Sequence, residues 1–112
     1  QRIAFNPKQA NDLTEKMCCG FGIHPVPVIL SNELLYDKKG EQIFGQCVQY
    51  KIVKLKRIFL YRDGNNVETL THEIAHLQRY DHSVNFYQVW LDMMVYFKKN
   101  LMKFFVKKTK TI

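Results

Sequence analysis

The stretch TLTHEIAHLQRYDHS, Thr69 to Ser83, holds three of the chain's four histidines and decides how the rest is read. Around it, Val67, Leu70, Ile74 and Leu77 recur at three- and four-residue steps, the spacing of a helix with one apolar face. On that helix His72 and His76 stand four residues apart, just over one turn, so both rings leave the same face. Two imidazole nitrogens can then reach one ion at roughly 2.0–2.1 Å. Glu73 points about 100° around the helix axis, beside the ion rather than at it. From there its carboxylate can take a proton from a metal-bound water without being a ligand. Such a pair needs a third protein ligand that leaves one position open.

No Glu follows Glu73 anywhere in the chain, so a third-ligand Glu on a later helix is excluded. The downstream candidates are Asp81, His82 and Asp92. The helix is expected to end at Arg79-Tyr80, where a sharp turn could bring His82 back under the ion. His82 is favoured over Asp81 because neutral imidazole suits zinc. The expected set is one Zn2+ per chain on His72, His76 and His82. A bare HExxH occurs in many proteins that bind no metal, and a third histidine at this spacing makes coincidence much rarer. Ile74, Ala75 and Leu77 face the core in this reading, and His24, in a loop before Pro25, is a surface bystander. Tyr80, Tyr87, Lys54 and Lys56 are candidate donors to a developing oxyanion. Asp81 or Asp92 could hold a ligating imidazole by its second nitrogen.

Working outward, Asn6-Pro7 reads as a helix start and Gly20 as its stop, with Ala10, Leu13, Met17 and Cys18 as the apolar stripe. VPVIL (26–30) is a short strand whose Pro27 suits an edge. Tyr36 to Gly40 reads as a turn, and IFGQCVQY (43–50) as a strand in which Gly45 marks a bulge. Arg57 to Arg62 alternates weakly and ends at the loop Asp63-Gly64-Asn65-Asn66. Beyond Ser83, a natural N-cap, apolar residues keep helical spacing from Phe86 to Phe105. Continuous, that helix would run about 33 Å, so its end is expected to fold back, break near Asn100 or dock on another chain. The order is a backing helix, about three strands in a small twisted sheet, an active-site helix and a long C-terminal helix: a compact α+β fold.

The 112 residues suit a single domain spanning 1–112. With 46% hydrophobic residues the chain can bury a core without disulfides. No apolar run approaches the roughly 20 residues of a transmembrane helix. The opening QRIAFNPKQA lacks the apolar segment of a secretory signal. Cys18, Cys19 and Cys47 form no even, spaced framework and no CxxC pair, so they read as free thiols in a reducing compartment. A cytoplasmic protein is expected. The net charge of +7 gathers at Lys51, Lys54, Lys56 and Arg57 and again at Lys98, Lys99, Lys103, Lys107, Lys108 and Lys110. Solvated faces account for most such clusters, though they can also steer a chain to nucleic acid or anionic lipid.

HEIAHLQRYDHSVNF, His72 to Phe86, resembles the zinc peptidases that carry HExxHxxxxxH. Arg79 stands where metzincins have Gly, and Met93-Met94 lie in a helical pattern rather than a Met-containing turn. The match is better with SprT-like and WLM-type domains, where a third His opens a long helix bearing aromatics, as His82-Ser83 with Phe86, Tyr87 and Trp90 does here. In length and layout the chain also resembles the minimal single-domain archaeal metallopeptidases of the selecase and minigluzincin type. The resemblance implies a zincin-like fold and a peptide or protein substrate bound in extended form at a sheet edge, here around Ile43 to Val48. It implies cleavage with Glu73 as general base and acid. Two other readings fit the sequence. One is a protease acting on DNA-associated protein, favoured by the lysines but lacking a separate DNA-binding module. The other is a non-catalytic metal-binding or interaction module working through the helix Ser83–Phe105. That helix could also join copies of the chain and block the cleft.

Overall fold

Asn6 starts the first helix as the sequence predicts. Its side chain accepts from the Gln9 amide at 2.8 Å while the Gln9 side chain accepts from the Asn6 amide at 3.0 Å, a reciprocal cap followed by Pro7 at the first helical position. The computed structural model describes residues 4–50 and 55–105. The first helix, α1, runs Pro7–Phe21 and stops at Gly22, two residues beyond the expected Gly20. Gly22 takes the left-handed conformation (φ 67°), and the Ile23 amide closes onto the Cys18 carbonyl at 2.8 Å. Gly20 has a packing role instead: a Cβ there would lie 2.7 Å from the Tyr96 hydroxyl oxygen.

Five short strands follow: β1 (Val28–Leu30), β2 (Leu35–Tyr36), β3 (Gln42–Ile43), β4 (Gly45–Gln49) and β5 (Lys56–Leu60). β2 and β3 form an antiparallel pair around the expected turn. The main sheet has the order β1-β5-β4, with β1 parallel and β4 antiparallel to β5. At Phe44 the chain passes from one sheet to the other, so Gly45 begins a strand rather than marking a bulge. Asn11 of α1 ties the helix to edge strand β1, its amide side chain bonding both the Val28 N–H and C=O. On β5, Ile58 and Leu60 are fully buried and join the core with Leu13, Met17, Cys18, Leu70 and Ile74. This is an α+β fold with α1 and the second helix, α2 (Val67–His76), packed on the sheet.

The loop before α2 does two jobs. Asn65 clamps Phe5 by both backbone groups, and Asn66 caps α2 by accepting from the Thr69 amide at 2.8 Å. The third helix, α3, is α-helical over Val84–Tyr96, then widens to a π-turn over Phe97–Leu101 and tightens to a 3₁₀ turn over Met102–Phe104. The expected break near Asn100 is therefore present. Phe97 and Leu101, at the two ends of the widened turn, are both buried in the core. Phe105 then packs edge-on against Phe5 at 5.7 Å. Lys51 and Lys54 of one basic cluster, and Lys107, Lys108 and Lys110 of the other, lie outside the described residues. Among the described residues no helix is long and apolar enough to cross a membrane.

Burial pushes the Cys18 thiol up to about 11 from its ordinary 9.0. Folded chains then keep a proton that unfolded chains lose, so stability should fall as pH rises from 9 to 11. Cys47 and Tyr61 are raised too, chiefly by burial, and act in the same direction. Denaturant titrations across this range should show a steeper loss for wild type than for Cys18→Ala. Equal slopes would remove Cys18 as a source of the alkaline loss.

Candidate metal centre

His72 and His76 leave the same face of α2, and His82 returns to them from the loop before α3. The Nε2 atom of His76 lies 3.2 Å from Nε2 of His72 and 3.1 Å from Nε2 of His82. A tetrahedral ion about 2.0–2.1 Å from each nitrogen would hold neighbouring donors roughly 3.3–3.4 Å apart. The two pairs that share His76 therefore stand close to ligand spacing, and all three histidines offer ligand atoms within 4.8 Å of one another. Among the described residues they form the group that could hold a metal ion.

The tautomer of His76 is set by its other nitrogen. Nδ1 lies 3.0 Å from the Arg79 carbonyl oxygen, which can only accept, so Nδ1 carries the proton and Nε2 presents a lone pair. That one lone pair faces two neighbouring imidazole nitrogens. A cation satisfies all three together. The His76 ring is thus held by the Arg79 backbone carbonyl and not by Asp81 or Asp92. Asp81 accepts from the Ser83 hydroxyl at 2.9 Å and Asp92 from the Gln88 amide at 2.9 Å.

α2 ends at His76, three residues short of the expected Arg79. The Leu77, Gln78 and Arg79 amides turn back onto the Ile74 and Ala75 carbonyls, and the chain doubles under the helix. Ser83 then caps α3 as predicted, its hydroxyl accepting from the Phe86 amide. Phe86, fully buried, lies beneath all three imidazoles. It stacks on His76 at 4.3 Å and meets His72 and His82 at 5.0 and 5.1 Å. Trp90 closes the side, edge-on to His72 at 4.7 Å, with its indole N–H donating to Thr71 Oγ1 at 3.1 Å. The helical periodicity of these aromatics was legible; their service as a floor under the histidines was not.

This apolar floor tunes the site. Burial, then the neighbouring rings of His76 and His82, lowers His72 to about 4. Burial also lowers His76, against the opposing pull of the Arg79 carbonyl. Both rings are neutral at pH 7 and keep the lone pairs a metal needs. Glu73, only 6% exposed, is raised to about 7 by burial, with the Cys47 backbone amide pulling the other way. It can approach β4 because Gly45 has no side chain: a Cβ there would lie 3.1 Å from Glu73 Cγ and 2.9 Å from Thr69 Cγ2.

The open side of the centre is a two-lobed cleft along β4. One lobe, about 360 Å³, is bounded by Gly45 to Val48, Tyr80, Glu73 and the three histidines. The other, about 490 Å³, extends past β3 and Phe44 to Glu68 and Trp90. β4 is the edge of the main sheet, and this edge overlaps the strand expected to receive substrate. Of the sequence's oxyanion candidates, Tyr80 lines the cleft. Tyr87 packs against His82 at 6.3 Å, Lys56 lies over the Tyr80 ring, and Lys54 is outside the described residues. His24 sits apart, in a groove with Pro25, Pro27 and Leu77.

The chain matches no family model, no curated protein and no solved structure.

Metal binding to the folded chain should raise its thermal midpoint, the gain being about 2.7 kcal/mol at a free-ion concentration one hundred times Kd. With Zn2+ as probe, His76→Ala should abolish the rise, whereas Asp81→Asn and Asp92→Asn should keep it. A rise that survives His76→Ala would place the ion elsewhere.

Proposed function

We propose that the chain is a zinc-dependent endopeptidase with a zincin-like fold. The observation that carries this reading is three imidazole nitrogens converging beside a buried Glu73 on a free strand edge. The resemblance of His72 to Phe86 to HExxHxxxxxH peptidases supports the choice of peptide substrates. Three neutral imidazoles suit Zn2+, and a structural zinc would ordinarily close its fourth position with another protein ligand. When bound, zinc polarises a carbonyl and brings water toward a pKa of about 7.

The protein's own groups do the remainder. β4 offers the backbone groups of its outer edge, other than the Cys47 N–H that Glu73 engages, to a peptide lying in the cleft, adding it as a strand. Glu73, raised to about 7, can hold and release a proton at neutral pH. Its carboxylate oxygen takes the proton of the attacking water and passes it to the leaving amine nitrogen. Gly45 lets that carboxylate sit against β4, next to the bond to be cut. Cys18, Cys19 and Cys47 are all free, which fits a reducing, cytoplasmic setting.

A specific surface also supports self-association. Val84, Tyr87, Leu91 and Val95 form one outward stripe on α3, and Val84 is 84% exposed. The stripe begins beside the centre, where Tyr87 packs on His82. We propose that copies of the chain meet along it and restrict the cleft. Sedimentation should show association that rises with concentration and is abolished by Leu91→Lys, with higher specific activity in the variant. A wild type monomeric at all concentrations would remove this proposal and leave the first standing.

Wild type and Glu73→Gln should each bind about one zinc, since Glu73 is no ligand, and only wild type should cut casein. Losing a general acid–base typically costs about 10²–10⁴-fold in rate. If both bind zinc and neither cuts at any dilution, the chain is a metal-binding interaction module. If both cut equally, Glu73 is not the base.

A further inference from the structure

A cross-strand pair grips one exposed tyrosine at the rim of the cleft. Gln49 of β4 and Lys56 of β5 are direct partners in the antiparallel ladder, so their side chains project from the same face. Both reach Tyr80, which lies in the loop between His76 and His82. The Tyr80 hydroxyl donates to Gln49 Oε1 at 2.9 Å, and the Lys56 ammonium sits 4.9 Å from the centre of its ring. Tyr80 is 66% exposed, so burial does not explain why its side chain is held at two points.

Peptide hydrolysis places negative charge on the carbonyl oxygen, and a positioned donor there is worth about 10²–10³-fold in kcat. Several other side-chain donors lining the two lobes are occupied or weak. The Trp90 N–H is committed to Thr71 and Glu68. The Gln42 amide donates to the Arg62 carbonyl and to Asp63. The Cys47 thiol is a poor donor. Gln46 accepts from the Tyr61 hydroxyl through its oxygen and keeps its amide N–H groups, which makes it the alternative donor. Tyr80 lines the same lobe as Glu73 and all three histidines and has a phenolic O–H bound to one neutral acceptor.

We infer that Tyr80 stabilises the oxyanion of the substrate, exchanging the Gln49 acceptor for the substrate's carbonyl oxygen, with Gln49 and Lys56 as the residues that position it. This rests on the peptidase reading. Substrate added along β4 would enter beside Gln49, at the end of the same strand, so binding and release of the tyrosine are coupled by geometry. The hydroxyl keeps its proton throughout and contributes a hydrogen bond only.

The test compares wild type, Tyr80→Phe, Lys56→Met and Lys56→Arg on a fluorogenic peptide, with zinc content and thermal midpoint measured alongside. Tyr80→Phe should lower kcat about 100-fold, with KM, zinc content and midpoint unchanged. Its affinity for a phosphinic pseudopeptide, which mimics the tetrahedral centre, should fall in parallel, while affinity for a product peptide should not. Lys56→Met should lower kcat by a smaller factor, and Lys56→Arg should restore it. An active wild type with an equally active Tyr80→Phe overturns this inference and spares the peptidase. Loss through KM or midpoint alone also overturns it, assigning Tyr80 to binding or structure. A zinc-loaded wild type that cuts nothing removes the peptidase and the inference together.

Discussion

α2 has to stop at His76. Had it continued, His82 would stand about 9 Å further along the axis, six residues at 1.5 Å each, and could not share an ion with its neighbours. The bond between His76 Nδ1 and the Arg79 carbonyl joins the stop to the site. It ties down a carbonyl in the turn that ends the helix, and it fixes the ring so that Nε2 faces inward. One interaction thus sets the helix end, the tautomer and the direction from which His82 arrives. The placement of α3 follows from it, since Ser83 caps that helix immediately after the third histidine.

What the turn brings together, the aromatic layer holds. Three facing imidazoles without an ion would gain protons in water as pH falls toward their ordinary range. Phe86 and Trp90 replace water on two sides, and fully burying a phenylalanine contributes about 1.5–3 kcal/mol toward keeping them there. The same desolvation acts with opposite consequence on the acid and the bases, raising Glu73 and lowering His72. Neutral imidazoles and a carboxyl raised to about 7 therefore share one physical cause, burial, which the histidines meet on the aromatic side of α2 and Glu73 meets against β4.

Much of this was legible in TLTHEIAHLQRYDHS because helical spacing is a local property. His72 and His76 share a face by geometry alone, and the missing Glu removed one class of third ligand. The N-caps Asn6 and Ser83 were legible for the same reason. Features set by long-range contact were not. Gly45 reads as a bulge until α2 is laid against β4 and its empty side becomes space for Glu73. The Arg79 carbonyl has no signature, being a backbone atom in a turn that any residue could make. Gly20 looks like a helix stop unless Tyr96, far along the chain, is known to lie on it. The grip of Gln49 and Lys56 on Tyr80 depends on strand register, which residue types alone do not specify.

Cys47 bears on why the centre would keep three protein ligands. A thiolate beside three imidazoles would bind zinc strongly and close its fourth position. Cys47 lines the same lobe, yet its pKa is raised, first by burial and then by the charge of Glu73, with Lys56 opposing. In the structure its sulfur is not among the ligand atoms that gather at His72, His76 and His82. On the peptidase reading, that leaves the fourth position to water, with Glu73 beside it as the base.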